Sequence, residues 1–236
     1  MRGLHEHAQT RFYAFFAISL SATMGVAFSG NLLTIYFFYE MLSVSTFPLV
    51  THMQDKDART GGRTYLGYLL FTSLCLLLPA LSWCYVWLDG GQTTMDFLGD
   101  VGKVGVFSQR TQIILLFLFT FGFAKAGLMP LHSWLPGAMV APTPVSALLH
   151  AVAVVKVGVF CLYRVYADVF GTEVLQSLNG EDCMIGIACA TILISSLIAL
   201  SQDNLKRRLA FSTIGQLGYV ALGVTLATQN GMGGSV

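Results

Sequence analysis

Residues Lys125 to Lys156 read Lys-Ala-Gly-Leu-Met-Pro-Leu-His-Ser-Trp-Leu-Pro-Gly-Ala-Met-Val-Ala-Pro-Thr-Pro-Val-Ser-Ala-Leu-Leu-His-Ala-Val-Ala-Val-Val-Lys. A lysine stands at each end, inside stretches apolar enough to be membrane spans, and the run between them is dense in proline. An ionisable side chain near the middle of a bilayer costs about 2.5–3.5 kcal/mol on insertion scales. Glu40, Lys125, His150 and Lys156 all fall at such depths on this reading, so each needs a reason. The usual reason is that ions or protons move past them.

The rest of the chain agrees with a membrane setting. Of 236 residues, 55% are hydrophobic and 11% charged, and mean hydropathy is +0.67. A soluble domain carries about 25% charged residues, so the composition predicts an all-α, polytopic helix bundle forming a single transmembrane domain over residues 1–236. A net charge of +1 argues neither for nucleic acid nor for an acidic partner. Cys75, Cys84, Cys161, Cys183 and Cys189 include no Cys-x-x-Cys pair, so they read as packing residues rather than zinc or iron–sulfur ligands. Neither a phosphate-cradling glycine loop nor a Ser/His/Asp set is present, and no flavin, haem, metal or other cofactor is expected in this polypeptide. The polar start, Met1 to His7, leads straight into a span, so no cleavable signal is expected.

About 20 apolar residues cross a bilayer core. That ruler places about seven spans, at 12–29, 31–50, 65–88, 112–130, 144–166, 184–201 and 209–227, the fourth interrupted near Pro130 and Pro136. The longest loops are then 89–110 and 167–183. Arg2, Arg11, Lys56, Arg59, Arg63, Lys206, Arg207 and Arg208 fall on one side, against Lys103, Arg110 and Arg164 on the other. The positive-inside rule therefore puts the N-terminus in the cytoplasm and the C-terminus outside.

Each polar residue within the spans has two readings. Glu40 shares a helical face with Tyr36 and Ser43; it either bonds a neighbouring helix or pairs with a cation of the same chain. Lys125 either snorkels to the interface or sits beside water where the helix breaks. Pro130 and Pro136 remove amide donors there, with His132 and Trp134 between them. Such breaks are tolerated only where protein or a water-filled cavity covers the freed backbone. His150, with Ser146 one turn before it, points about 120° away from Lys156 on the fifth span. A lone histidine in a helix is more often a packing residue, but Lys156 near mid-membrane cannot easily snorkel. Together with a glutamate these are the parts of a proton relay.

Three segments of the run, Lys125-x-x-x-x-Pro-x-His-x-Trp-Leu-Pro136, Ala141-Pro-Thr-Pro-Val-Ser-Ala-Leu-Leu-His150 and Val155-Lys-Val-Gly-Val159, strongly resemble the proton-conducting, antiporter-like membrane subunits. These are the L, M and N type subunits of NADH-quinone oxidoreductase (Complex I), the large subunits of multisubunit cation/proton antiporters of the Mrp type, and membrane-bound hydrogenase subunits. Asn31-Leu-Leu-Thr-Ile-Tyr-Phe-Phe-Tyr-Glu40 is similar to the family segment bearing a key glutamate. Lys206-Arg-Arg-Leu-Ala-Phe-Ser-Thr-Ile-Gly-Gln-Leu-Gly-Tyr219 resembles a later one, departing at Phe211 and Gly215, where tyrosine and serine are common.

The resemblance implies a first five-helix repeat over about 12–166 and the start of an inverted second repeat over 184–227. It implies a bacterial inner-membrane protein of a respiratory chain, partnered by other membrane subunits, with protons or Na⁺ as transported ions. It also implies a Glu40–Lys125 ion pair whose making and breaking loads and unloads Lys125, and onward transfer through His150 or Lys156. His132, Ser146 and Lys206 support the path. Redox chemistry would belong to other subunits. Sodium/proton exchange in an antiporter or a hydrogenase role uses the same machinery; a non-conducting scaffold and a seven-span receptor are the readings from other classes.

The loop charges generate a topology test. Single cysteines replacing Lys56 or Arg207, in a background lacking the five native cysteines, should be shielded from an impermeant thiol reagent in intact cells. One replacing Asp96 should react. Labelling at position 207 in sealed cells would overturn orientation and span parity together.

Overall fold

The computed structural model describes residues 8–88, 103–178 and 181–226, and all of their regular secondary structure is helical. The polar N-terminal heptad, most of the loop over 89–110, residues 179–180 and the last ten residues lie outside that range. Helices α1 (Gln9–Ala27) and α2 (Leu32–Val50) form a hairpin. Asn31 starts α2 from extended backbone, its side chain accepting the Thr34 N–H at 2.8 Å, which satisfies one of the amides a helix start leaves unpaired. Helix α3 (Lys56–Thr72) continues through a π turn, Ser73–Leu77, into α4 (Leu78–Leu88). The π turn lies where Gly122 of α5 (Gln109–Gly122) crosses it, so close that a Cβ on Gly122 would sit 2.9 Å from Leu77 backbone.

Beyond α5 the chain is broken into short pieces. These are a 3₁₀ turn over Ala124–Ala126, α6 (Trp134–Gly137), another 3₁₀ turn over Ala138–Val140, and α7 (Thr143–Ala147). A π turn over Leu148–Val152 leads into α8 (Val154–Arg164), and a second, Val165–Phe170, into α9 (Gly171–Ser177). Helices α10 (Glu181–Leu200) and α11 (Leu205–Thr225) close the chain as a tightly packed hairpin. Asn204 caps α11 by accepting the Lys206 N–H at 3.0 Å.

Among the described residues, four helical stretches are long and apolar enough to cross a membrane: Leu32–Val50, Lys56–Trp87, Thr143–Ser177 and Asp182–Leu200. Three boundaries differ from the expected spans. The third helix begins at Lys56 rather than near 65, and its added turns are packed into the bundle, with Ala58 and Gly62 buried. The fifth runs on to Ser177 through residues expected in a loop; Arg164 and Asp168, an i,i+4 ion pair, keep that polar stretch on a helix.

The fourth stops at Gly122, eight residues before Pro130, and Pro136 lies inside α6. Two glycines mark the break. Gly158 of α8 is driven against the 3₁₀ turn, where a Cβ would fall 2.2 Å from Ala126 N and 2.3 Å from Lys125 C. Gly127 then takes a left-handed φ of 72°, which glycine adopts without strain.

This contact makes Gly158→Ala a sensitive probe of the break. A methyl group has no space there without moving backbone, so the variant should lose roughly 1–3 kcal/mol, the usual cost of overpacking. Gly186→Ala, where a Cβ meets nothing within 4 Å, should be neutral. Thermal unfolding of the two variants in detergent checks this, and equal midpoints would refute it.

Candidate functional site

The break between α5 and α7 frees backbone groups that a continuous helix would pair, and a buried unpaired one is costly. Side chains from five other elements take them up. Trp134 Nε1 donates to Ala124 O at 3.0 Å, and the Trp134 ring meets Tyr65 edge-on at 5.5 Å between centroids. The Lys125 N–H points at Tyr39 Oη of α2, 3.4 Å away. Thr191 Oγ1 of α10 accepts the Met129 N–H at 3.2 Å. Lys206 Nζ of α11 and Ser146 Oγ of α7 both donate to Ala141 O, at 3.1 and 3.3 Å. The α10–α11 hairpin therefore holds the break from one side by an amide and from the other by a carbonyl.

At the start of this break Lys125 is 0% exposed. Its Nζ donates to Tyr39 O at 2.5 Å and lies 3.2 Å from the centroid of the Tyr39 ring. Ser43 Oγ donates to the same carbonyl at 3.2 Å, so one α2 carbonyl serves two donors. An ammonium has three N–H donors; here one finds a neutral oxygen and the aromatic face adds a cation–π contact. Among the described residues no carboxylate lies within 4 Å of Nζ.

Glu40 adjoins Tyr39 in sequence but faces elsewhere, since consecutive helical residues point about 100° apart. It lies with Phe15, Ile18, Tyr36, Phe37 and Val44 in an apolar groove of about 780 Å³ along α1 and α2, and its buried Oε1 has no hydrogen-bond partner. The direct Glu40–Lys125 ion pair that the resemblance implied is not formed; the lysine reaches the Tyr39 carbonyl instead.

The remaining predicted residues are spread along the broken segment. His132 is half-buried beside Phe211 of α11 at 6.1 Å between rings, with Nδ1 buried and unpartnered. His150 Nε2 lies 2.9 Å from Met139 Sδ, while its Nδ1 is likewise buried without a partner. Lys156 is exposed on α8, between the buried Val155 and Val157. The π turn at Leu148–Val152 and the bend at Ala153 lie between His150 and Lys156, so a regular-helix angle does not describe their relation. Pro130 is exposed and follows a cis peptide bond.

Sequence reasoning missed Tyr39, Thr191 and Gly158. Tyr39 and Thr191 carry no sign in spacing that they face a break more than 60 residues away. Tyr39 and Gly158 both fall within segments that carry the family resemblance, but only the packing gives either a purpose.

Comparison with known proteins agrees with this architecture. The family model described as NADH:quinone oxidoreductase/Mrp antiporter, TM, matches residues 29–236. NAD(P)H-quinone oxidoreductase chain 5 of Synechocystis sp. is 34% identical over 230 residues, covering 96% of this chain and 33% of the relative. Putative antiporter subunit mnhA2 of Staphylococcus aureus (strain JH9) is 34% identical over 216 residues, covering 89% of this chain and 25% of the relative. The chain thus spans a third or less of the length of these relatives. Among solved structures, the Mrp complex from Dietzia sp. DQ12-45-1b superposes with a TM-score of 0.81 at 26% identity, over 92% of this chain and 23% of that one. On the match over residues 29–236, the chain belongs to the NADH:quinone oxidoreductase/Mrp antiporter transmembrane family.

Proposed function

We propose that this chain belongs to a proton-translocating membrane subunit of a respiratory NADH-quinone oxidoreductase-like complex of the bacterial inner membrane, with Lys125 as its central proton carrier. The observation that carries the reading is the Lys125 amine, wholly buried at a helix break and held by one carbonyl and one ring face rather than by a carboxylate. Burial disfavours its charged form and a nearby carboxylate favours it. Small movements of Glu40 toward or away from Lys125 therefore switch the lysine between holding and releasing a proton. A proton loaded from the cytoplasmic side passes from Lys125 along the broken segment toward His150. Lys156, exposed on this chain, hands on to groups outside it. The N-terminus lies in the cytoplasm, other membrane subunits surround the chain, and residues 12–166 act as one repeat with 184–227 opening the next.

The named relatives include a quinone oxidoreductase chain and a putative antiporter subunit, so sodium/proton exchange uses the same residues in the second reading. A membrane-bound hydrogenase role is equivalent at this level.

Lys125→Met decides between relay and structure. As a carrier, its loss should leave assembly intact and reduce proton translocation per assembled complex to background. Glu40→Gln should weaken translocation and His150→Ala should weaken it less. A purely structural Lys125 would give the reverse, lost assembly with normal transport in whatever assembles. Full translocation by assembled Lys125→Met complexes would end the proposal.

The hairpin clamp generates a second expectation. Lys206→Met removes the donor from Ala141 O and should lower translocation several-fold at unchanged assembly, whereas Lys206→Arg should restore most of it. Equal activity of Met and Arg variants would show that the Ala141 carbonyl needs no cation.

A further inference from the structure

At the end of the bundle where α1 begins, α2 ends and α3 begins, Arg11, Arg59 and Arg63 line one pocket of about 440 Å³. Thr51 and Gln54, from the turn after α2, complete its polar wall, and Phe47 its apolar one. Gln54 holds a left-handed φ of 58°, which turns the chain back into α3 beneath the pocket. Asp55 precedes α3 and Asp57 lies in its first turn, but among the described residues no carboxylate lines the pocket. Among the described residues none of the three guanidinium groups has a carboxylate within 4 Å. Three like charges around one concavity repel one another, and guanidinium forks match phosphate oxygens two at a time.

Arg63 belongs to a second cavity as well. With Thr64, Gly67, Tyr68 and Phe71 it lines an adjoining furrow of about 380 Å³ along one face of α3. Gly67 keeps the furrow open, since a Cβ there meets nothing within 4 Å, and Phe71 is 61% exposed along it. The furrow climbs from the charged end into the stretch Lys56–Trp87, which is apolar enough to cross a membrane. A cationic pocket that opens at one shared arginine into an apolar furrow has the shape of a phosphate joined to an acyl chain.

We propose that Arg11, Arg59 and Arg63 bind the phosphate of an anionic phospholipid, with an acyl chain lying along Gly67, Tyr68 and Phe71. Basic pockets between membrane helices recognise lipid headgroups in this way. A free anion would have no use for the furrow, and an acidic segment of a partner protein would leave apolar surface at Gly67 and Phe71 uncovered. The site is separate from the helix break and does not depend on the transport reading.

Native mass spectrometry of the purified protein in detergent, titrated with phosphatidylglycerol or phosphatidylcholine of matched chains, tests this. Phosphatidylglycerol should be retained preferentially. The triple variant Arg11→Gln, Arg59→Gln, Arg63→Gln should lose that preference by at least about tenfold, and the triple Arg→Lys variant should keep most of it. Gly67→Leu, at an exposed position where a Cβ meets nothing within 4 Å, places its side chain in the furrow and should weaken phosphatidylglycerol retention with all three arginines present. Equal retention of the two lipids by the unaltered protein would overturn the proposal, as would unchanged preference in the triple glutamine variant. Complete displacement of the lipid by millimolar inorganic phosphate would make the site one for free anions. Normal lipid binding in Gly67→Leu, coupled with loss of a partner subunit from the triple glutamine variant's complex, would assign the pocket to a protein instead.

Discussion

The close approach of Gly158 to the backbone of Lys125 and Ala126 is the constraint from which the centre of this molecule follows. No side chain fits between α8 and the 3₁₀ turn that follows α5, and α5 ends at Gly122. Once it stops, amides and carbonyls that would have paired within a helix lie at membrane depth, where no lipid can satisfy them. Trp134, Tyr39, Thr191, Lys206 and Ser146 are placed to satisfy them. A break in one segment thereby engages side chains from five other elements.

The same constraint determines the setting of the buried amine. Lys125 leaves the break toward α2, where the nearest strong acceptor is the Tyr39 carbonyl, already engaged by Ser43. A single neutral oxygen and a ring face support an ammonium less than a salt bridge would, but more than hydrocarbon would. Glu40, one residue further on the same helix, is turned toward α1 with one oxygen unpartnered. Glu40 and the residue whose carbonyl holds Lys125 are thus neighbours in the chain yet face separate surroundings, so that rotating the Glu40 or Lys125 side chain changes the distance between acid and base.

The α10–α11 hairpin ties this centre to the rest of the bundle. Its contacts reach both ends of the broken segment, at Met129 and at Ala141, and Phe211 adds a ring beside His132. Motion of the hairpin would be felt at the break through individual hydrogen bonds. The arginine pocket where α1 begins, α2 ends and α3 begins is a different kind of feature, lined by helix ends rather than by the break.

Reading the residues in order was enough to predict an all-helical membrane bundle and a discontinuity between Lys125 and Lys156, and to single out Glu40, Lys125, His150 and Lys156 as the ionisable residues that need a reason there. Those conclusions rest on hydropathy, proline chemistry and the cost of burying charge, all properties of a residue and its near neighbours. Tertiary structure alone revealed that the helix stops at Gly122, eight residues before Pro130, and that Gly158, more than 30 residues away in sequence, packs against the turn that follows. It alone decided that Lys125 grips Tyr39 and not Glu40, and that Lys156 faces outward while its valine neighbours are buried. The partners of a buried polar group are chosen by which helices pack against it, and that choice is written in no single stretch of the chain.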